Sequence, residues 1–259
     1  MKIIAIIQAR LGSTRLPGKV LLDIEGKTVL EHVIDRVRSS KCIDDIVVAT
    51  TIQKEDLKIV NLCSNNGTSI YCGSENDVLD RFYQAARLFH ADNIVRITSD
   101  CPLIDPFLID KVIKLHLKEK ADYTSNTLKE TYPDGQDVEI FTFEALKESW
   151  KKANLTSERE HVTPYMRKNQ AFKRINLGSK VDLSKKRWTL DNPEDYVFIK
   201  TVYKNLYNKN HFFDMDEILK FLNNNPEIES INQSIGRNEG YLKSLKEDRT
   251  VGSGIINEH

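Results

Sequence analysis

The chain has 259 residues, 40% hydrophobic and 29% charged, which is enough for one sizeable core or one core with an appendage, and two full domains are not expected. Lys+Arg and Asp+Glu both number 38, so the net charge is zero and no global field favours nucleic acid or an acidic membrane; any anion site has to be local. No apolar run approaches the length of a membrane span, and the first strand begins at residue 3 with no room before it for a signal peptide, so a cytoplasmic setting is expected. Cys42, Cys63, Cys72 and Cys101 form no CxxC pair, which reads as free thiols in a reducing compartment rather than a zinc site.

The apolar run at residues 3–7 stops abruptly in Gln8-Ala9-Arg10-Leu11-Gly12-Ser13-Thr14-Arg15-Leu16-Pro17-Gly18-Lys19, the pattern of a buried strand that delivers a polar loop to one edge of a sheet. Arg10, Arg15 and Lys19 supply fixed positive charge, Gly12 and Gly18 let backbone N–H groups approach a ligand closely, and Ser13 and Thr14 add hydroxyl donors. Such a loop suits an anion. It is not a Walker A loop, because five residues separate Gly12 from Gly18 and Val20 follows Lys19 where a magnesium-binding Ser or Thr would stand. A GxGxxG dinucleotide fingerprint is also missing.

Beyond the loop, strands and helices alternate. Val29, Leu30, Val33, Ile34 and Val37 recur at helical spacing over residues 28–39, with Thr28 as the cap; residues 46–50 form a strand and 55–65 a helix. A strand at 69–72 stops at Gly73, a helix over 77–86 opens on acidic residues that suit its dipole, and 93–98 is another strand. This order predicts a three-layer α/β/α, Rossmann-like architecture with a mostly parallel sheet. Its ligand crevice should lie at the carboxyl ends of the strands, at residues 8–19, Thr50, Thr51, Gly73, Ser74, Glu75 and 99–102. Asp100 ends a strand there. It either faces the basic loop across a divalent cation or caps the turn that follows.

The second half is less regular. Val112, Leu115 and Leu117 mark a helix, 121–136 reads as a polar loop, 137–141 alternates as a half-exposed strand, and 144–153 is helical. The charged run Ser157-Glu158-Arg159-Glu160-His161 is expected on a solvated helix face, with substrate contact as the alternative. Residues 187–190 read as a strand, and Pro193 fits the first turn of the next helix, with Asp191 or Asn192 as its cap. Asp191 shares the strand-end position of Asp100, and the two could hold one metal. Helices follow at 197–207 and 215–222, then a break at 223–226 and a polar tail at 234–259. We expect residues 1–230 to form the domain and 231–259 its tail.

The opening loop resembles the N-terminal signature of the cytidylyltransferases that activate sugar acids, the CMP-Kdo and CMP-sialate synthetases, with the spore coat polysaccharide biosynthesis protein F branch most similar. Gly73 to Phe82, Arg96-Ile97-Thr98-Ser99-Asp100-Cys101-Pro102-Leu103-Ile104-Asp105-Pro106, Glu158 to Tyr165, Trp188 to Tyr196 and Arg237-Asn238-Glu239-Gly240-Tyr241 resemble that branch too. The resemblance implies a nucleotidyltransferase that passes CMP from CTP to a sugar or sugar-acid acceptor for surface polysaccharide or glycoconjugate synthesis. Arg10, Arg15 and Lys19 would hold the triphosphate, and Asp100 with Asp191 would bind Mg2+. Gln8, Ala9, Leu11, Gly12, Ser13, Gly73, Ser74 and Arg81 would complete the nucleotide site. Arg96, Asp137, Glu139, Glu158, Arg159 and His161 are the candidates for the acceptor pocket. A homodimer through residues 121–143 is also implied, with no nucleic-acid or membrane partner. Alternatives are a sugar-1-phosphate nucleotidyltransferase using another NTP, or a non-catalytic nucleotide-binding protein.

Overall fold

The computed structural model describes residues 1–208, 212–237, 239–246 and 248. Strand β1 (Ile3–Gln8) is apolar through Ile7 because it runs through the sheet interior, with Ala5 and Ile7 feeding one core layer and Ile4 and Ile6 the other. After the basic loop and a short hairpin, β2 (Asp23–Ile24) and β3 (Lys27–Thr28), helix α1 (Val29–Arg38) opens on a capping box between Thr28 and Glu31. Then β4 (Asp45–Thr51), α2 (Leu57–Asn65), β5 (Ser69–Gly73), α3 (Val78–Leu88) and β6 (Asn93–Thr98) alternate as the sequence predicts. β5, β4, β1 and β6 are parallel neighbours in that order, so β1 and β6 deliver the basic loop and Asp100 side by side at their carboxyl ends.

Helix α4 (Pro106–Glu119) starts at Asp105, whose carboxylate accepts from the N–H groups of Phe107 and Leu108. Beyond it lie β7 (Tyr123–Ser125) and β8 (Glu139–Thr142); β8 runs antiparallel to β6, and β7 antiparallel to β8. Helices α5 (Phe143–Lys152), α6 (Thr156–His161) and α7 (Pro164–Lys168) precede edge strand β9 (Arg174–Asn176). Helices α8 (Pro193–Leu206), α9 (Met215–Asn224), α10 (Pro226–Glu229) and α11 (Glu239–Lys246) complete the described chain. The architecture is the expected mostly parallel α/β sheet between helical layers.

Four expectations need correction. The strand near 137–141 is buried on both faces, because Glu139 is paired inside the protein and its charge does not face solvent. The polar stretch 121–136 contains β7 and is largely buried, so of its residues mainly Lys129 and Glu130 are left exposed for a subunit interface. Residues 187–190 form no strand, only a single bridge from Arg187 to Asp134; Trp188 and Leu190 enter a third apolar cluster with Phe198, Tyr203 and Phe213. Finally, α6 is no solvated face: Ser157 and Glu158 are buried. The tail beyond residue 248 lies outside the described residues, as do Asn238 and residues 209–211.

His116 gives the fold a pH limit. It is 2% exposed, with Nδ1 on Thr124 at 3.0 Å and Nε2 on Asn93 at 3.1 Å. Burial lowers its pKa from 6.5 to about 4. Below the ordinary value the unfolded chain takes up the proton more readily than the folded one, so stability falls as pH drops from 6.5 towards 4. Urea unfolding should lose up to about 3 kcal/mol over that window, and His116→Gln should flatten the slope; an unchanged slope would assign the acid limit elsewhere.

Candidate active site

The basic loop folds back on itself. Gly18 adopts a left-handed conformation at φ 67°, and its N–H and that of Ser13 both bond the Leu11 carbonyl, at 3.2 and 2.8 Å. Asp56 anchors the loop from outside, accepting the Leu11 N–H at 2.8 Å while also bonding the Thr51 hydroxyl. Ser13 Oγ accepts the Leu16 N–H at 3.4 Å. The N–H groups of Gly12, Thr14 and Arg15 have no acceptor among the described residues, which leaves them available to an anion.

At the head of the loop, Lys19 Nζ donates to Asp100 at 2.7 Å and to Asp191 at 2.8 Å. Burial works against the charge on Lys19, but Asp100 and Asp191 outweigh it and raise the pKa. Burial works against Asp100 as well, yet Lys19 holds its carboxyl down at about 2. Both groups are therefore ionised at neutral pH. The possibility that Asp100 caps the next turn gives way, since Asp105 has that role; likewise Asn192, not Asp191, caps α8. Arg15 reaches Asp191 at 2.8 Å and Glu239 at 2.8 Å, while Arg10 reaches Glu75 at 3.2 Å. Each loop cation thus rests on carboxylates that a more highly charged anion can displace.

Asp191 is placed by a buried ion pair that sequence patterning missed. Arg187 makes a two-pronged contact with Asp195 at 2.8 Å for each bond, and Asp195 in turn accepts the N–H groups of Asp191 and Asn192 at 2.9 Å each. Arg187 also contacts Asp134 at 3.1 Å. In the sequence, Asp134 looks like a turn residue between Pro133 and Gly135, so nothing marks it as part of this wall.

On the opposite flank, β5 ends at Gly73, where an added Cβ would stand 2.9 Å from the Tyr71 ring and 3.0 Å from Arg81 Cγ. Ser74 Oγ accepts the Asp77 N–H at 3.1 Å, and Ala9 is buried with its N–H on the Ala49 carbonyl. Arg81 is 2% exposed, and its Nε and Nη1 have no hydrogen-bond partner among the described residues. Burial lowers its pKa to about 10, with Arg10 pushing the same way, which still leaves it charged at neutral pH. A buried guanidinium with unsatisfied donors costs free energy unless a ligand meets it.

The predicted acceptor residues divide into two groups. Arg96, Glu139 and Asp137 lie on one stretch of the crevice: Glu139 accepts from Arg96, Tyr123 and Thr163, and Gln8 accepts Arg96 Nε at 3.1 Å, which turns Gln8 towards this side. Burial lowers the His161 pKa to about 4, and Arg96 and Glu139 both act on it. By contrast, Glu158 is spent capping α6 through the N–H groups of Asn154 and Leu155, and Arg159 ties Asp77 to the Trp150 carbonyl. Helix α11 packs over α6 through Ser244, which bonds His161 at 2.9 Å and Glu160 at 2.7 Å.

Asp100 and Asp191 share one cationic partner and offer hard oxygen donors, the donor set that suits a magnesium ion completed by phosphate oxygens. No group of three or more His, Cys, Asp or Glu able to hold a metal occurs among the described residues.

A model of the cytidylyltransferase family matches residues 4–237. The chain is 44% identical over 238 residues to an uncharacterized protein of Methanocaldococcus jannaschii, covering 91% of this chain and 96% of that one. It is 32% identical over 238 residues to the spore coat polysaccharide biosynthesis protein SpsF of Bacillus subtilis, covering 87% and 95%. A solved cytidylyltransferase from Leptospira borgpetersenii superposes with a TM-score of 0.86 at 36% identity, covering 92% of this chain and all of the other. With a sheet, a loop and a crevice of this kind, and with matches along nearly its whole length, the chain belongs to the cytidylyltransferase family.

Proposed function

We propose that this protein transfers CMP from CTP to a sugar or sugar-acid acceptor, releasing pyrophosphate, to supply activated sugar for surface polysaccharide. The observation that carries the proposal is Lys19 seated between Asp100 and Asp191 at the head of a loop with free N–H groups. In this reading Arg10, Arg15 and Lys19 leave their carboxylates for the triphosphate, and Arg81 meets the base or ribose with its free donors. Asp100 and Asp191 would hold Mg2+, which supplies neutralisation of charge on the phosphates when bound. Lys19, Arg10 and Arg15 stabilise the charge that develops on the departing pyrophosphate. Arg96, Glu139, His161 and Asp137 orient the acceptor for in-line attack on the α-phosphorus.

We further take residues 1–230 as the catalytic domain with 231–259 as its tail, acting as a cytoplasmic homodimer; no helix among the described residues is long and apolar enough to cross a membrane. Pyrophosphate release measured against a panel of nucleotides, sugar acids and sugar 1-phosphates tests the reaction. Release only with a sugar 1-phosphate would favour the alternative transferase, and no release with any pair would favour a binding protein. Lys19→Ala should weaken CTP binding by roughly 10–100-fold in a calorimetric titration, while cytidine binds as before. Equal wild-type affinity for CTP and cytidine would remove the triphosphate from the loop.

A further inference from the structure

The carboxylates Asp100, Asp134, Asp137, Glu139 and Asp191 ring the crevice, and most of them are fully engaged. Asp100 and Asp191 share Lys19; Asp134 lies on Arg187; Glu139 accepts from Arg96 with one oxygen and from Tyr123 and Thr163 with the other. Asp137 differs. Arg237 Nη2 donates to its Oδ1 at 2.6 Å, and Oδ2 has no partner among the described residues. Its side chain is 33% exposed, so the free oxygen has a route to solvent.

Asp137 also stands beside the reacting edge. The antiparallel pairing of β6 and β8 ends where Arg96 faces Glu139; Asp137 lies two residues beyond that end, on the side towards Thr98, the last residue of the strand that leads into Asp100. The Cys101 thiol lies 3.1 Å from the Thr98 hydroxyl, and it is pushed well up by burial and then by Asp100, Asp137 and Asp134. These carboxylates are therefore gathered about one buried thiol, at the place where an acceptor would approach a CTP held by the basic loop.

We propose that Asp137 is the general base that takes the proton from the attacking hydroxyl of the acceptor. The assignment rests on the transfer reaction proposed above. As the acceptor oxygen bonds to the α-phosphorus of CTP, the bond from that phosphorus to the oxygen bridging to the β-phosphate breaks. Its electron pair leaves with pyrophosphate. The hydroxyl proton passes to Oδ2 of Asp137, which later loses it to water. Arg237 holds the other oxygen and so fixes the carboxylate's orientation.

The charges around Asp137 suit a base that works near neutrality. Burial raises its pKa to about 7; Arg237 pulls down, and Asp134, Glu139 and Glu130 push up. The Arg167 guanidinium also faces it, and the Cys101 thiol is neutral at this pH. A base is most effective with a pKa near the working pH.

The test uses the full-length enzyme with CTP, magnesium and an acceptor that supports pyrophosphate release. Wild-type kcat should rise with pH through about 7 with a slope of one. Asp137→Asn should lower kcat on the order of 10²–10³-fold and remove that limb, while CTP affinity, the KM for CTP and urea unfolding stay close to wild type. Arg237→Lys should keep the limb. Arg237→Gln should move it to higher pH, because loss of the cation lets burial raise Asp137 further, a shift that a purely structural contact would not produce. Asp137→Asn retaining kcat within about threefold, or retaining the limb, would overturn the proposal. So would an unmoved limb in Arg237→Gln. Absence of release by the wild type with any pair would strike the reaction itself, and the role of Asp137 with it.

Discussion

Asp100→Asn should abolish pyrophosphate release, by a factor on the order of 10³ or more, while CTP still binds in the absence of magnesium. The substitution keeps the shape of the side chain and removes only its charge. The fold should tolerate it: the Asp100 carbonyl still accepts the Leu190 N–H at 2.8 Å, and Lys19 keeps Asp191 at 2.8 Å. What is lost is the carboxylate that Lys19 holds at a pKa of about 2, ionised at any pH where the enzyme would work. If Asp100 helps to hold the metal, the tightening of CTP binding by magnesium should shrink in the variant, and titration calorimetry with and without chelator measures that independently of turnover. Removal of a negative charge beside the triphosphate should leave metal-free CTP binding equal or slightly stronger. Unchanged turnover, or an unchanged magnesium effect on CTP affinity, would sink the metal role.

The parts of this site that could be read in the sequence are those carried by parallel strands. Residues 93–98 are apolar enough to mark β6 at its observed limits, so Asp100 falls at a strand end by inspection, and the basic loop after β1 is placed in the same way. The flank made by β7, β8 and β9 was much less legible. Alternation at 137–141 reads as a half-exposed strand because periodicity treats every charge as facing water, whereas Glu139 is buried against Arg96, Tyr123 and Thr163. The same blindness moved Ser157 and Glu158 to a solvated surface. Residues 187–190 failed for another reason: their inward apolar pattern is real, but the partner is the bend at Asp134 and not a strand. Arg187 and Asp195 look like ordinary surface charges eight residues apart, and only folding shows that this pair orients Asp191. Long-range ion pairs leave no periodic trace, and they build much of this wall of the crevice.

Gly135→Ala is the substitution expected to cost the fold most among the crevice glycines. Gly135 sits at φ +96°, and a Cβ there would lie 2.5 Å from the Trp188 carbonyl carbon, 2.6 Å from its oxygen and 2.7 Å from Thr189 N. These are backbone atoms, so no side-chain rotation can relieve the overlap. Nor can the strand-like contact slide, because Asp134 N–H bonds the Lys186 carbonyl at 2.9 Å and the Trp188 N–H bonds the Asp134 carbonyl at 2.7 Å. On the next residue, Gln136 donates to the Leu103 carbonyl at 2.5 Å and accepts the Asp105 N–H at 2.9 Å, which pins the turn from its other end. Steric overlap and a disfavoured backbone conformation together should destabilise the protein by roughly 3 kcal/mol or more. Gly178→Ala is the control, since its nearest neighbour would stand at 3.9 Å, an ordinary contact, and its cost should stay within about 0.5 kcal/mol. Urea unfolding of the two variants compares them at equal m-value. The displaced segment carries Arg187, which holds Asp191 both directly, at 3.7 Å, and through Asp195, so any folded fraction of Gly135→Ala should also lose turnover. An unfolding free energy within about 1 kcal/mol of wild type would mean that the wall behind Asp191 yields more easily than its paired backbone implies.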